Sequence, residues 1–100
     1  MLVSESERAR VWHLTLAPGE RLPFHRHVLD YFWTVTAPGR GRSFYADGSV
    51  REMEYEAGDT RHMRFDAGQS MLHDLENTGT TTLAFVTVEF LDSANRPLRV

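Results

Sequence analysis

Residues 24–36, FHRHVLDYFWTVT, form the longest aromatic and β-branched stretch of the chain, and this composition predicts β-structure. Within it, His25 and His27 are separated by a single residue. Side chains two positions apart in a strand point to the same face, so the two imidazoles are expected to converge. Two neutral imidazoles on one face need one further ligand to form a metal site. The stretch therefore predicts both a strand and half of a metal centre.

Turn signals recur along the rest of the chain and leave segments that suit strands better than helices. Asp47-Gly48 is a favoured two-residue hairpin turn, because this pair tolerates positive φ. Short strands separated by such turns are typical of β-sandwiches and β-barrels. The other turn signals are Pro18-Gly19, Pro38-Gly39, Ala57-Gly58-Asp59, Asp66-Ala67-Gly68 and Asn77-Thr78-Gly79. The further predicted strands cover 11–16, 43–55, 60–65, 71–76 and 82–91.

The length of 100 residues is enough for a single hydrophobic core. We predict one all-β domain over residues 1–100, with an N-terminal arm at 1–10, a barrel at 11–91 and a C-terminal tail at 92–100. The last strand is the clearest buried one, because both of its faces carry apolar residues. One face has Ala84, Val86, Val88 and Phe90, and the other starts with Leu83 and Phe85.

The composition excludes several classes of partner and location. The net charge is −3 and no run of Lys or Arg occurs, which argues against a nucleic-acid partner. The chain has no cysteine, so disulfides and thiolate ligands are excluded and a reducing compartment is favoured. The polar first ten residues are unlike a signal peptide, and no apolar run reaches the roughly 20 residues that span a bilayer. We expect a cytoplasmic protein without a membrane segment.

The chain resembles the cupin family, whose two signature motifs carry glycine, histidine and asparagine at fixed spacings. Five residues separate Gly19 from His25, and three separate His27 from Tyr31. In the second motif, Gly58 opens the segment and three residues separate His73 from Asn77. The resemblance spans roughly residues 11–91. It implies an antiparallel, jelly-roll-like β-barrel with His25, His27 and His73 as metal ligands. His13 and His62 are expected to be ordinary surface histidines.

The chain departs from the cupin pattern at three places. Tyr31 stands where the family has a metal-binding glutamate, and Gly39 follows it one residue later than the pattern. Arg64 stands at the proline position of the second motif. In the pattern, one residue separates the proline from the next glycine, and two residues separate that glycine from the histidine. Here three residues separate Arg64 from Gly68, and four separate Gly68 from His73. The longer loop affects the registration of His73, whereas the tyrosine affects the chemistry of the site.

Tyr31 is the candidate catalytic residue, because strand parity places it on the same face as His25 and His27. The alternative for Tyr31 is a core aromatic residue with its hydroxyl satisfied at the barrel rim. Three neutral imidazoles without a carboxylate leave a divalent ion its full +2 charge, which favours an anionic ligand. Imidazole accepts Fe, Zn, Ni, Cu and Mn, so the cofactor is predicted only as one divalent metal ion.

The resemblance implies a function as well as a fold. Three-histidine cupin sites are similar to those of thiol dioxygenases and diketone-cleaving dioxygenases. We therefore predict a metal-dependent enzyme that acts on a small anionic molecule, with a dioxygenase as the leading hypothesis. The alternatives are a non-catalytic metal-binding or sensor module, a metal-free isomerase or epimerase with a histidine base, and a cupin that has lost its metal.

Three further expectations concern the surroundings of the site. Arg42, Arg61 and Arg64 are candidates to hold a substrate carboxylate. Arg64 alternates with Met63 and Phe65, which are the better core residues, so an exposed Arg64 is favoured. Glu89 either approaches the site or serves as an exposed edge charge, and the second is favoured. A homodimer is expected, in which the N-terminal arm and the strand at 11–16 cover an exposed edge.

Overall fold

A computed structural model of the protein describes residues 1–99, which contain nine β-strands and no helix. The all-β prediction is confirmed. The strands are β1 (Leu2–Glu5), β2 (Ala9–Leu16), β3 (Arg21–His27), β4 (Tyr31–Ala37), β5 (Gly39–Phe44), β6 (Val50–Tyr55), β7 (Thr60–Met63), β8 (Met71–Asn77) and β9 (Leu83–Phe90). A helix with the length and apolar character to cross a membrane is not found in residues 1–99.

The strands form two antiparallel sheets that enclose the core between them. The five-stranded sheet has the order β1-β2-β9-β4-β7, and the four-stranded sheet has the order β3-β8-β5-β6. Most neighbours in each sheet are distant in sequence, so the chain crosses repeatedly between the two sheets. At one side of the molecule the sheets end in β6 and β7, which the turn at 56–59 connects.

The stretch 24–36, predicted as one continuous strand, divides into two strands that belong to different sheets. The division falls at Val28-Leu29-Asp30, where Leu29 is buried and Asp30 is fixed by hydrogen bonds. The Phe65 amide donates to Asp30 Oδ1 over 2.8 Å, and the Asp30 amide donates to Ser93 Oγ over 2.8 Å. A carboxylate that accepts a backbone N–H in this way holds the turn, so Asp30 is a structural residue rather than a solvated one.

Both predicted terminal segments are attached to the barrel. Residues 1–10 contribute β1 and the start of β2, and β1 pairs with β2 at the edge of the five-stranded sheet. In the predicted tail, Asn95 Nδ2 donates to the carbonyls of Val28 and Asp66 over 3.1 and 3.0 Å. Val100, the last residue of that segment, lies outside the described residues. The homodimer stays a prediction.

The hairpin predicted at Asp47-Gly48 connects β5 to β6. The two-residue turn predicted there is not the one observed, because Gly48 has φ of +87° but Asp47 does not have a positive φ. The Gly48 amide donates to the Tyr45 carbonyl over 2.9 Å, so Ala46 and Asp47 are the central residues of the turn and Gly48 follows them. The turn sets the register of the hairpin, in which Gly41 lies opposite Met53.

The packed core occupies one end of the space between the sheets. Its members are inward-facing residues of both sheets, and each is less than 10% exposed. They are Leu16, Val35, Tyr55, Leu75, Leu83 and Phe85. Beyond this core, towards the opposite end of the same strands, the inward-facing positions hold histidine, tyrosine and glutamate. That polar end contains the candidate site.

Asn77 closes the apolar end of the barrel and is only 1% exposed. Its Nδ2 donates to the carbonyls of Leu16 and Thr81 over 2.8 and 2.9 Å. Its Oδ1 accepts a hydrogen bond from the Gly79 amide over 2.9 Å. Buried backbone groups are costly when they lose a partner, so this side chain fixes the start of the loop that connects β8 to β9.

Replacing Asn77 by alanine is expected to destabilise the fold by about 3 kcal/mol, because three buried hydrogen bonds are lost and two carbonyls lose a partner. Urea unfolding followed by tryptophan fluorescence measures the change. Thr78→Ala, at the exposed neighbouring position, is the matched control and should change the free energy of unfolding by less than about 0.5 kcal/mol. Equal stabilities of the two variants would contradict this role of Asn77.

Candidate metal centre

Three histidines meet on the inner face of the four-stranded sheet. His25 and His27 alternate along β3, and the register of the β3–β8 pair sets His25 opposite His73. The ring centroid of His25 lies 4.7 Å from those of His27 and His73, and the His27 and His73 centroids are 5.2 Å apart. One ring nitrogen from each residue lies within 4.8 Å of the others. The structure thus brings together the three residues that the sequence singled out.

The hydrogen-bonding states of His25 and His73 leave ring nitrogens available to bind a metal. His25 Nδ1 lies 2.8 Å from the Pro23 carbonyl, which can only accept, so Nδ1 carries the proton and Nε2 keeps its lone pair. Both ring nitrogens of His73 are shielded from solvent and have no hydrogen-bond partner within residues 1–99. Buried polar atoms without partners are rare in folded proteins. A metal ion would supply a partner for one of these two nitrogens, the one that carries the lone pair.

The electrostatics of the cluster favour neutral imidazoles, which is the form that binds metals. Burial, followed by the charges of His25 and His73, lowers the pKa of His27 to about 3. Burial and His25 lower the pKa of His73 to about 4, although the adjacent Asp74 opposes this shift. Because His27 and His73 resist protonation, their lone pairs stay available well below neutral pH.

Tyr31 lies against the cluster, but for a reason different from the predicted one. It is on β4, in the sheet opposite to that of His25 and His27, so strand parity does not place it there. Its ring stacks on His27 with centroids 4.3 Å apart, because the two sheets pack face to face. Burial, with smaller contributions from Tyr45 and Glu89, raises the pKa of Tyr31 above its ordinary value. Its hydroxyl therefore keeps its proton and is a hydrogen-bond donor.

A cavity of about 790 Å³ opens beside the three histidines and extends between the sheets. Such a volume is typical of sites for small organic ligands, roughly 300–1,000 Å³. Its walls are mainly apolar and aromatic, with a few charged side chains. The residues around it include Trp12, Tyr31, Trp33, Tyr45, Arg51, Met53, Arg61, Met63, Met71 and Glu89.

Glu89 lines this cavity, whereas the sequence favoured an exposed edge position. It lies directly opposite Tyr31 in the β4–β9 pair, and alternation along β9 puts it on the face of Phe85 and Thr87. The indole Nε1–H of Trp12 donates to Glu89 Oε1 over 2.6 Å. A charge-assisted bond of this length holds the carboxylate in one position.

The predicted arginines are in different environments. Arg42 faces outward, where Nη2 lies 2.9 Å from Glu52 Oε1 and Nη1 lies 3.8 Å from Glu76 Oε1. Arg64 is exposed and does not line the cavity, as parity indicated. Arg61 lines it, together with four arginines that were not predicted from the sequence: Arg10, Arg26, Arg51 and Arg99. Alternation with Met53 and Tyr55 along β6 was the signal that would have placed Arg51 inward.

The remaining histidines stay outside the cluster. His13 and His62 are both exposed. His62 packs against Phe32, with ring centroids 5.3 Å apart, on the outer surface of the five-stranded sheet. His62 is therefore a suitable control position for experiments on the three clustered histidines.

The chain is similar in sequence to a known enzyme. No protein-family model matches the chain. The chain is similar to an oxalate decarboxylase from Bacillus subtilis (strain 168), with 31% identity over 77 residues. The match covers 75% of this chain but 19% of the relative, so the chain spans about a fifth of the length of that protein.

Solved structures share the architecture. A cupin domain from Bordetella pertussis matches with a TM-score of 0.77 and 21% identity, over 90% of this chain and 88% of the other. A conserved protein with a double-stranded β-helix domain from Klebsiella pneumoniae matches with a TM-score of 0.71 and 25% identity, over 96% and 72% of the two chains. The predicted cupin-type barrel is confirmed.

The metal-free protein is expected to lose stability as the pH falls from 6 to 5. In the unfolded chain the histidines take up protons near pH 6.5, whereas folded His27 and His73 do so only near 3 and 4. The unfolded state therefore binds more protons in this window, so the free energy of unfolding decreases with decreasing pH. Urea unfolding at several pH values measures the slope.

The variant His27→Gln tests the assignment of this slope. Removing one histidine whose pKa is lowered in the folded state should reduce the slope of the free energy of unfolding against pH. The expected reduction is about 1 kcal/mol per pH unit between pH 6 and 5. Circular dichroism at pH 7 checks that the variant is folded. Identical slopes for the two proteins would show that His27 protonates equally easily in the folded and unfolded states.

Proposed function

The chain is a cupin in fold, and on that premise we propose that it is a metal-dependent enzyme for a small anionic molecule. His25, His27 and His73 would hold one divalent ion. The proposal is supported above all by the convergence of these three imidazoles. The ring nitrogens of His73 are shielded from solvent and have no hydrogen-bond partner within residues 1–99. The donor set fits the ion, because neutral imidazole is a good ligand for Fe, Zn, Ni, Cu and Mn.

The charge of the site supports an anionic ligand. Within residues 1–99 the cluster that offers ligand atoms to a metal contains only the three histidines. When bound, an ion with no anionic protein ligand keeps its +2 charge, attracts anions and acidifies bound water. The chain's own contribution is to keep His27 and His73 neutral and to surround the cluster with apolar walls, which strengthens electrostatic attraction to the ligand.

Tyr31 and Glu89 would contact the ligand from the five-stranded sheet, which lies opposite the histidines. The phenol of Tyr31 keeps its proton, so it would donate a hydrogen bond to an anionic group beside His27. The Glu89 carboxylate, held by Trp12, would accept a proton released within the cavity. Both residues lie on neighbouring strands in register, so they would act on the same part of the ligand.

Two reaction classes are consistent with this arrangement. Oxygen-dependent cleavage is our first proposal, because a neutral ligand set favours binding of an anionic substrate to the metal. Decarboxylation is the second, and the similarity to an oxalate decarboxylase favours it. Both reactions begin with a small carboxylate or similar anion at the metal centre. A metal-binding module without turnover and a metal-free isomerase are the remaining alternatives.

Metal analysis tests the proposed centre. Purified wild-type protein should contain about one divalent ion per chain, since three imidazoles bind such ions tightly. His25→Ala, His27→Ala and His73→Ala should each lose at least about nine-tenths of the metal, and His62→Ala should retain it. Retention of metal by His73→Ala, as measured by elemental analysis, would disprove the proposed ligand set.

The same preparations test the reaction. Metal-loaded protein is incubated with a panel of small carboxylates and diketones, and oxygen uptake and CO₂ release are measured in parallel. Oxygen uptake supports the dioxygenase, and CO₂ release without oxygen uptake supports the decarboxylase. Tight binding of an anion without either product assigns a binding module, and isomerisation that survives chelation assigns a metal-free enzyme.

Tyr31→Phe should separate ligand binding from metal binding. Because the phenol is protonated, we expect the variant to keep its metal and to bind acetate and oxalate about tenfold more weakly, the typical effect of one hydrogen bond to a charged group. Isothermal titration of the zinc-loaded proteins measures both affinities. Loss of zinc would instead make Tyr31 a metal ligand, and unchanged anion affinities would leave it a core aromatic.

A further inference from the structure

Two arginines stand at the side of the cavity away from the histidine-bearing strands β3 and β8. Arg51 is on β6 and Arg61 is on β7, the edge strands of the two sheets. Both line the cavity that the histidines share. Neither forms an ion pair with any residue in the range 1–99. Three other arginines also line the cavity, but Arg10 is paired with Glu5, the Arg26 guanidinium donates to Ser70 Oγ, and Arg99 lies in the C-terminal segment. Arg51 and Arg61 are therefore two cationic side chains without an ion pair among residues 1–99, at the rim of a mainly apolar cavity.

Both arginines are exposed, and strand alternation directs them to the cavity side of their sheets. Arg51 shares its strand face with Met53 and Tyr55, which belong to or pack against the core. Arg61 lies opposite Trp33, whose ring makes an edge contact with Tyr55. Arg51 and Arg61 therefore border the same cavity from opposite sheets.

The separation of the strands that carry Arg51 and His73 indicates a long ligand. β5 separates β6 from β8, so these strands run about 10 Å apart, or two strand spacings. Arg51 and His73 are also offset along the strands, because Arg51 pairs with Ser43 whereas His73 pairs with Tyr45. The cavity of about 790 Å³ is also much larger than a two-carbon acid needs. Its walls between the two charged ends include Trp33, Met53 and Met63.

We propose that the ligand is an elongated dicarboxylate with an apolar middle. One carboxylate is directed to the three-histidine centre and the other is bound by Arg51 and Arg61, whose planar guanidinium groups match carboxylate geometry. The apolar middle packs against the aromatic and thioether side chains of the wall. This inference rests on the proposed function, because it uses the metal centre as the first anchor.

A series of ligands tests the second anchor directly. Zinc-loaded protein is titrated calorimetrically with oxalate, succinate, adipate and hexanoate. Succinate or adipate should bind at least about tenfold more tightly than hexanoate, which lacks the second carboxylate, and than oxalate, which is too short. Equal affinities for adipate, succinate and hexanoate, or no measurable binding of either longer diacid, would overturn the proposal.

Variants of Arg51 and Arg61 test whether these residues bind the second carboxylate of the diacid. Arg51→Gln and Arg61→Gln should each weaken binding of the preferred diacid about 10- to 100-fold and change hexanoate binding less than about twofold. Arg64→Gln is the matched control, because it removes an exposed arginine that does not line the cavity, and it should bind as wild type does. Diacid binding that is unaffected in both rim variants would disprove the assignment.

Zinc content distinguishes failure of this inference from failure of the proposed metal centre. All three arginine variants should retain zinc, since each of them keeps the three histidines that are proposed to bind the metal. If wild-type protein takes up no zinc, the proposed function fails, and the titrations are repeated on the metal-free protein. Arginine-dependent binding of the diacid there would still support the rim as a carboxylate site, and its absence would overturn it.

Discussion

The antiparallel pairing of β3 with β8 is the constraint on which the candidate site depends. Its register sets His25 opposite His73, and alternation along β3 adds His27 on the same face. A shift of one residue would turn all inward side chains of one strand outward. The register is therefore as important to the metal centre as the identity of the three histidines.

Two buried polar residues of β8 secure this register. Asp74 is fully buried behind His73, where its Oδ2 lies 2.7 Å from Nε of Arg21 on β3. Its Oδ1 accepts the Phe44 amide of β5 over 2.7 Å. Further along β8, Asn77 binds the ends of β2 and of the β8–β9 loop. Since β8 is anchored at both positions, the imidazole of His73 is presented from a fixed backbone.

The sequence predicted the fold class, His25 and His27 from local patterns, whereas His73 was predicted from the resemblance to the cupin motifs. Turn residues mark the strand ends, and the spacing of His25 and His27 fixes their common face. Tyr31 was placed beside His27 by an incorrect route, since residues 28–30 divide the predicted strand and the contact forms between sheets. Contacts between sheets depend on topology, which strand periodicity alone does not contain.

Glu89 and Arg51 show where sequence patterns are insufficient. In β9 both faces are largely apolar, and the inward face proves to be that of Leu83 and Phe85, which also carries Glu89. The other face, with Val86 and Val88, is the outer surface of the sheet. A charged residue on an inward face conflicts with a core but not with a cavity, and only the structure shows where the core ends and the cavity begins.

The distribution of charge within the cavity completes the physical picture. Five arginines line the cavity: Arg26 lies between His25 and His27 on β3, Arg51 and Arg61 lie on β6 and β7, and Arg10 and Arg99 complete the set. Glu89 is fixed to Trp12 on the wall of the five-stranded sheet. Charges in an apolar cavity are screened less than charges in water. The excess of positive charge would therefore attract an anion, which Glu89 would repel. A ligand bound here would be oriented by residues of both sheets.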